Sequence, residues 1–341
     1  MKTIAMCALL AALALGLLPG NRDEAAASDP GLVLLVETWE EAEAPRKAAS
    51  AQQNESEAIM TQTAPDAQTV RLLDGGVVTA LSMEDYLTGV LLSEMPAEFE
   101  TEARKAQAVA ARTFTCRKLL QPKHENADVC AEASCCQAWT SREQLRQKYG
   151  DSFEAVWSAA HEAVRQTAGQ VLTYDGQLID AVYFSCSGGA TEAAVAVWGT
   201  DVPYLQAVES PGEEAAPRFS SRAVFSPEEF SQRLMQENPD VQLSGSPDAW
   251  LGETTRSAGG GAATCSIGGV SFSGTQLRRM FGLNSTRLTL SYQDGDFVFD
   301  VTGFGHRVGM SQYGAQTMAQ LGFSYRTILQ YYYQGAEVER Q

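Results

Sequence analysis

Glu94 stands between an apolar run, Val90-Leu91-Leu92, and the pair Met95-Pro96. A carboxyl group held among apolar side chains is a tuned acid. Burial disfavours its charged form and raises its pKa, and a helix C-terminus nearby raises it further. Alone, the pattern also fits a solvated surface glutamate. Two more stretches are dense in glycine and short polar residues: Phe184 to Glu192 (FSCSGGATE) and Gly305 to Ala315 (GHRVGMSQYGA). Glycine lets backbone approach a ligand closely, and hydroxyls, amides and rings are the usual lining of a sugar groove. Turn chemistry and packing would account for either stretch taken singly. A third cluster is sulfur-rich. His124, Cys130 and Cys136 are evenly spaced, with Cys135 adjacent to the last. Imidazole and thiolates are good zinc ligands, but CxxC spacing is missing. A disulfide from Cys130 to Cys135 or Cys136 is the other reading; adjacent cysteines rarely pair, because the geometry is strained.

The elements around these residues follow from pattern. Val70–Leu73 and Val77–Leu81 flank Asp74-Gly75-Gly76 and predict a hairpin. Ser82 with Asp85 predicts the start of a helix through Tyr86, Leu87 and Val90. Pro96 biases Met95 away from helix, so this helix ends at Glu94. From Thr101 towards Leu120 the chain is rich in strong helix formers, and Ala103, Ala106, Val109 and Ala110 make a narrow apolar stripe. Ser152 to Gln166 is amphipathic. Val171–Tyr174 and Leu178–Phe184 predict strands around Asp175-Gly176. Pro211 to Gly261 reads as a variable region with a short helix from Ser226-Pro227, and Ser244 to Gly261 as loops. Ser273–Phe281 predicts a helix, Arg287–Tyr292 and Phe297–Thr302 a hairpin, and the C-terminus two more helices. Mixed order without regular βαβ units predicts an α+β fold of helices and short antiparallel strands, in two subdomains lining a groove.

The chain has 341 residues and a formal net charge of −17, which argues against nucleic acid as a partner. Lys2 precedes an apolar run from Ile4 to Leu18, shorter than the roughly 20 residues of a standard span. It reads as an export signal or an uncleaved anchor over residues 1–20, with both outcomes open. Residues 21–68 read as a flexible acidic tether, broken by Leu32 to Val36 as a strand or juxtamembrane piece. The folded part is expected over residues 69–341, outside the cytoplasm, at the cell membrane or secreted.

Taken together, SEMP with EARKAQAVAART, FSCSGGATE with Val197-Trp198-Gly199 and Pro203 to Ser210, and GHRVGMSQYGA resemble the stage II sporulation protein D family from about Val70 to Glu337. The resemblance implies a peptidoglycan lytic transglycosylase of sporulation and engulfment. Such an enzyme cuts the bond after N-acetylmuramic acid and leaves a 1,6-anhydro end, with Glu94 as acid and then base. It needs no second carboxylate, because the sugar's own C6 hydroxyl attacks; Glu192 is expected to be structural, and Glu209 is the other carboxylate near these loops. Ser187, Gly188, Gly189 and Thr191 are expected to line the groove on one side. Ser311, Gln312, Tyr313 and His306 are expected on the other, with Arg104 or Lys105 able to meet the lactyl carboxylate. The resemblance also implies a His124–Cys130–Cys136 zinc site that shapes the groove, its fourth position open to water, substrate or another residue. It implies as partners an amidase, stage II sporulation protein P, and a membrane protein, stage II sporulation protein M. Two departures stand out. Arg307 occupies a position where the pattern usually has Gly, and Leu329 to Gly335 lacks the usual His. The alternative function is a non-catalytic amidase enhancer, and a zinc amidase ranks below it.

Overall fold

A computed structural model describes residues 69–341. The expected signal or anchor, the acidic tether and the Leu32–Val36 piece lie outside the described residues. Among the described residues, no helix is long and apolar enough to cross a membrane.

The chain starts with the expected hairpin, β1 (Thr69–Asp74) and β2 (Val77–Ser82). Helix α1 (Met83–Glu94) follows, with the Ser82 side chain accepting from the Asp85 N–H. It stops where the sequence predicts: Met95 is extended, at φ −120° and ψ 146°, as a residue before proline prefers. Helix α2 (Thr101–Leu120) is the central pillar. Its alanine stripe is buried, which lets α1 and later helices lie close. Arg112, a charged residue of the same helix, is fully buried there.

Next come β3 (Val129–Cys130), α3 (Arg142–Tyr149) and α4 (Phe153–Gln166). The Arg112 guanidinium donates to the Val164 carbonyl at 2.9 Å and the Gln170 carbonyl at 3.3 Å. A cation satisfying orphan carbonyls at a helix C-terminus is favourable. Strand β4 (Gln170–Tyr174) pairs with the short β5 (Gln177–Leu178). The strand expected over Leu178–Phe184 is interrupted. The Val182 N–H turns back to the Asp180 carbonyl at 2.9 Å, and pairing resumes only in β6 (Tyr183–Phe184). The turn tucks Ile179 and Ala181 into the core. After β7 (Gly189–Ala190), α5 (Ala194–Trp198) and β8 (Glu209–Ser210), the chain leaves this core.

A second unit is inserted from Ser220 to Thr302. It comprises β9 (Ser220–Phe225), α6 (Pro227–Glu237), β10 (Leu251–Arg256), β11 (Ala262–Ile267), β12 (Val270–Ser273), α7 (Gly274–Phe281), β13 (Arg287–Gln293) and β14 (Asp296–Thr302). It has its own apolar cluster, centred on Phe230, which stacks on Phe297 at 3.8 Å. The loop expected over Ser244–Gly261 contains β10. Its residues are almost all exposed, so an edge strand there carries no apolar alternation to read. The chain then returns through β15 (Met310–Ser311), α8 (Gln312–Gln320), α9 (Tyr325–Tyr332) and β16 (Glu337–Arg340), which pairs with β4. The architecture is therefore mixed α and β, as expected, and it holds two apolar clusters. The pairing is less uniform than expected, because β1–β3 and β6–β15 are parallel.

Candidate active site

Glu94 is the last residue of α1, at the end where carbonyls point outward. It sits on the wall of a cleft of about 570 Å³, with Gln137, Ala138, Tyr183, Arg278, His306 and Gln312 among the other lining residues. Its carboxylate accepts from the Ala138 N–H at 3.0 Å and from the Gln312 side-chain amide at 3.3 Å. Burial is the dominant effect and raises its pKa above the usual carboxylate value; the two hydrogen bonds pull the other way. The group is thus a desolvated acid with two donors ready for its ionised form.

Two long-range placements build this environment. The first is the loop before α3. Ser93 donates to Thr140 Oγ1 at 2.8 Å, and a Cβ at Gly89 would collide with the Trp139 indole and the Thr140 carbonyl. Gly89 therefore lets the loop lie against α1 and deliver Ala138. Beneath it, Gln137 accepts from the Tyr183 hydroxyl at 2.7 Å and donates to Tyr86 and Thr115. The second placement is the start of α8. Ser311 caps that helix, which directs Gln312 at Glu94.

The two glycine loops meet at Glu213, behind the cleft. This carboxylate accepts from the backbone N–H groups of Ser187 and Gly188 and from the hydroxyls of Ser187, Ser210 and Ser311. Burial raises its pKa, against the pull of those bonds. Ser187, Thr191 and Ser311 are each 0 % exposed, so they hold the wall up and do not line it. Thr191 is bonded instead to the backbone of Val208. Gly188 abuts Thr302 and Gly303, and Gly189 faces Arg287. Tyr313 packs edge-on against Phe99 with centroids 5.0 Å apart. Arg104 donates to Thr101 Oγ1 at 3.4 Å and does not border the cleft, and Lys105 pairs with Glu102 at 2.7 Å. Of the expected groove residues, the structure brings His306 and Gln312 to the cleft with Glu94.

His306 lies between the rings of Phe184 and the exposed Trp198, each at 5.6 Å. Burial, with Arg278 adding to it, pushes His306 down to about 4, so the imidazole is neutral near neutral pH. The Val308 N–H donates to its Nδ1 at 3.2 Å, which leaves the proton on Nε2. Arg278 itself comes from α7 of the inserted unit. It is partly buried at the cleft, and its guanidinium has no hydrogen-bond or ion-pair partner among the described residues. Burial lowers its pKa.

Arg307 resolves the departure noted in the sequence. Its φ is 68°, a conformation glycine adopts freely and other residues rarely do. The side chain is 0 % exposed. It bonds Glu192 at 3.0 Å, the Ser187 carbonyl at 2.8 Å and the Ala190 carbonyl at 2.7 Å. It also bonds the carbonyl of Gly259 in the inserted unit. The ion pair tethers both loops to the second unit and makes Glu192 structural, as expected; Glu209 is exposed and outside the cleft. Arg307→Ala is expected to cost roughly 3–5 kcal/mol, because it leaves Glu192 buried and uncompensated. Denaturant midpoints would measure it, and pairing the change with Glu192→Gln should recover part of the loss.

His124, Cys130, Cys135 and Cys136 offer ligand atoms that all lie within 4.8 Å of one another. No disulfide joins the described cysteines. Strand β3 fixes Cys130 beside β1, and the Glu132 carbonyl accepts from the N–H groups of both Cys135 and Cys136. An imidazole and thiols gathered in one knuckle fit zinc.

The family model described as "Stage II sporulation protein" matches residues 74–174. Stage II sporulation protein D of Bacillus subtilis (strain 168) is 38% identical over 268 residues, covering 76% of this chain and 75% of that protein. Its namesake in Bacillus amyloliquefaciens is 37% identical over 265 residues, with coverage of 76% and 75%. The amidase enhancer of Bacillus subtilis (strain 168) is 30% identical over 301 residues, which is 73% of this chain and 39% of that protein.

Proposed function

The chain belongs to the stage II sporulation protein D family, and from that premise we propose that it is a peptidoglycan lytic transglycosylase acting in sporulation. It cleaves between N-acetylmuramic acid and N-acetylglucosamine in glycan strands stripped of stem peptides. The observation that carries this reading is the solitary acid. Among the described residues lining the cleft, Glu94 is the sole carboxylate. A glycoside hydrolase needs a second carboxylate to activate water or to form a covalent intermediate. An intramolecular attack by the C6 hydroxyl needs one group, used twice.

Protonated Glu94 gives its proton to the bridging oxygen as the bond from C1 to that oxygen breaks. The ionised carboxylate is then held by Ala138 and Gln312. It takes the C6 hydroxyl proton as O6 bonds to C1, which closes the anhydro ring and restores the acid. The exposed ring of Trp198 offers a stacking face for sugar beside it, with neutral His306 packed between that ring and Phe184. Zinc on the His124–cysteine knuckle would supply structure, holding the loop that ends in Ala138.

Arg278 is the cation placed to meet the lactyl carboxylate of muramic acid. That carboxylate is free only after an amidase removes the stem peptide, since before cleavage it is an amide. Arg278→Gln is expected to raise KM about 10-fold on stripped strands, the scale of one charge-assisted hydrogen bond, with kcat little changed. Strands still bearing stem peptides should show little difference between the two proteins. This order of events fits an amidase partner, for which stage II sporulation protein P is the proposed candidate, and a membrane platform such as stage II sporulation protein M. The site would work outside the cytoplasm.

The likeness to an amidase enhancer supports a second reading, a wall-binding protein that stimulates an amidase without cutting glycan. Incubating the chain with stripped strands separates the two. Strand shortening supports the transglycosylase; stimulation of an amidase with strand length unchanged supports the enhancer.

A further inference from the structure

We propose that strand β2 is a docking edge for the chain's own Leu32–Val36 segment, which adds to the first sheet as a fourth strand. The strand order of that sheet is β2-β1-β3, so among the described residues β2 pairs with β1 alone and its other edge is open. Folded proteins guard such an edge with charge, proline, a bulge or a short strand. Strand β2 has none of these. Val77-Val78-Thr79-Ala80-Leu81-Ser82 carries no charge and no proline, and all six residues pair with β1 in unbroken register. The strand also overhangs the core. Its neighbour β1 buries Val70 and Leu72, yet on the same face Val77 is 65 % exposed and Thr79 is exposed too. On the opposite face Val78 is 43 % exposed. Both faces of this edge therefore show apolar surface with nothing beside it.

Leu32-Val33-Leu34-Leu35-Val36 fits that edge in composition, length and reach. It is apolar at every position, so as a strand it presents apolar side chains to both faces, the pattern of a strand covered on both sides. It is the one uninterrupted apolar run of its length in residues 21–68, and it matches β2 to within a residue. Strand β1 begins at Thr69, opposite Ser82 of β2, and the added strand would lie about 10 Å from β1, two strand spacings away. A polar chain the length of residues 37–68 spans about 30 Å, three times what is needed. The covalent link gives the segment a high local concentration at the edge, which favours it over a second copy of the chain. Docking also sets how far the cleft can travel. With residues 1–20 retained as an anchor, the free chain shortens from residues 21–68 to residues 21–31, or from about 160 Å to about 40 Å at full extension.

The test uses the full chain in detergent micelles, with amide hydrogen exchange read by mass spectrometry. Leu34→Asp puts a charge in the middle of the added strand. It should speed exchange roughly 10-fold in both Leu32–Val36 and Val77–Ser82. Exchange in α2 should stay as it was, which shows that the fold is intact. A second measurement replaces Thr79, at the centre of β2, with a photoreactive benzophenone side chain. Illumination should cross-link it within one chain to the peptide that holds Leu34, and Leu34→Asp should abolish that product. Equal exchange of Val77–Ser82 in the native chain and in Leu34→Asp would overturn the proposal. So would cross-links that join two chains, which would assign the edge to a second copy, or cross-links that miss residues 32–36.

Discussion

Glu94→Gln is expected to slow glycan cleavage by roughly 100- to 10,000-fold, the usual worth of a positioned general acid and base, without unfolding the chain. The amide keeps the shape and one acceptor oxygen, so the contacts to Ala138 and Gln312 can survive in part. It cannot give or take the proton. The same change should make the protein more stable near neutral pH. Glu94 has a raised pKa in the folded chain, caused mainly by burial. Its folded state therefore binds more protons than its unfolded state, so stability is full below the ordinary carboxylate pKa and falls as pH rises through the raised value. Glutamine removes that loss. The stability gain of Glu94→Gln should vanish in acid, and wild-type kcat should decline as pH rises through the same raised pKa. Melting curves and rate profiles across pH would check both, and a variant that loses activity because it is unfolded would betray itself in the first.

The second large effect is on the fold. Glu213→Ala should destabilise the chain by roughly 3–5 kcal/mol, because it strands several buried donors at once and each costs about 1–3 kcal/mol when fully orphaned. Two loops far apart in sequence, at Ser187-Gly188 and at Ser311, share this one carboxylate. Its loss should therefore also let α8 shift and carry Gln312 away from Glu94. A melting temperature lowered by on the order of 10 °C is expected, along with a drop in kcat even where the protein remains folded. Glu213→Gln retains some acceptor capacity and should fall between. An unaltered melting temperature for Glu213→Ala would remove the carboxylate from its role as the junction of the two loops.

The contrast between Glu94 and Glu213 shows what the sequence could reveal. Glu94 was legible because its neighbours declare their physics: apolar residues before it, proline after it, a helix-forming stretch beyond. Glu213 lies in Pro211-Gly212-Glu213-Glu214, where nothing local separates it from Glu214. Its burial is created by the loops at Ser187 and Ser311, which pairing of distant strands brings together. For the same reason Ser187, Thr191 and Ser311 read as groove lining; short hydroxyls beside glycines look alike whether they face a ligand or a buried carboxylate. Arg278 had no signal at all, since a short helix carrying Arg278-Arg279 looks like a solvated face until the inserted unit folds against the cleft. The helices around α2 were readable from spacing. The edge strand at Leu251–Arg256 and the two-residue strand β3 were not, because they are fixed by partners and carry no period of their own.

If Glu94 works alone, the bond is cut without water. Digesting amidase-stripped glycan strands in heavy-oxygen water and weighing the new ends by mass spectrometry tests it directly. Muramic ends lighter by one water than a reducing end, and free of solvent oxygen, are expected from the wild-type chain and not from Glu94→Gln. Reducing ends that carry the heavy oxygen would contradict it.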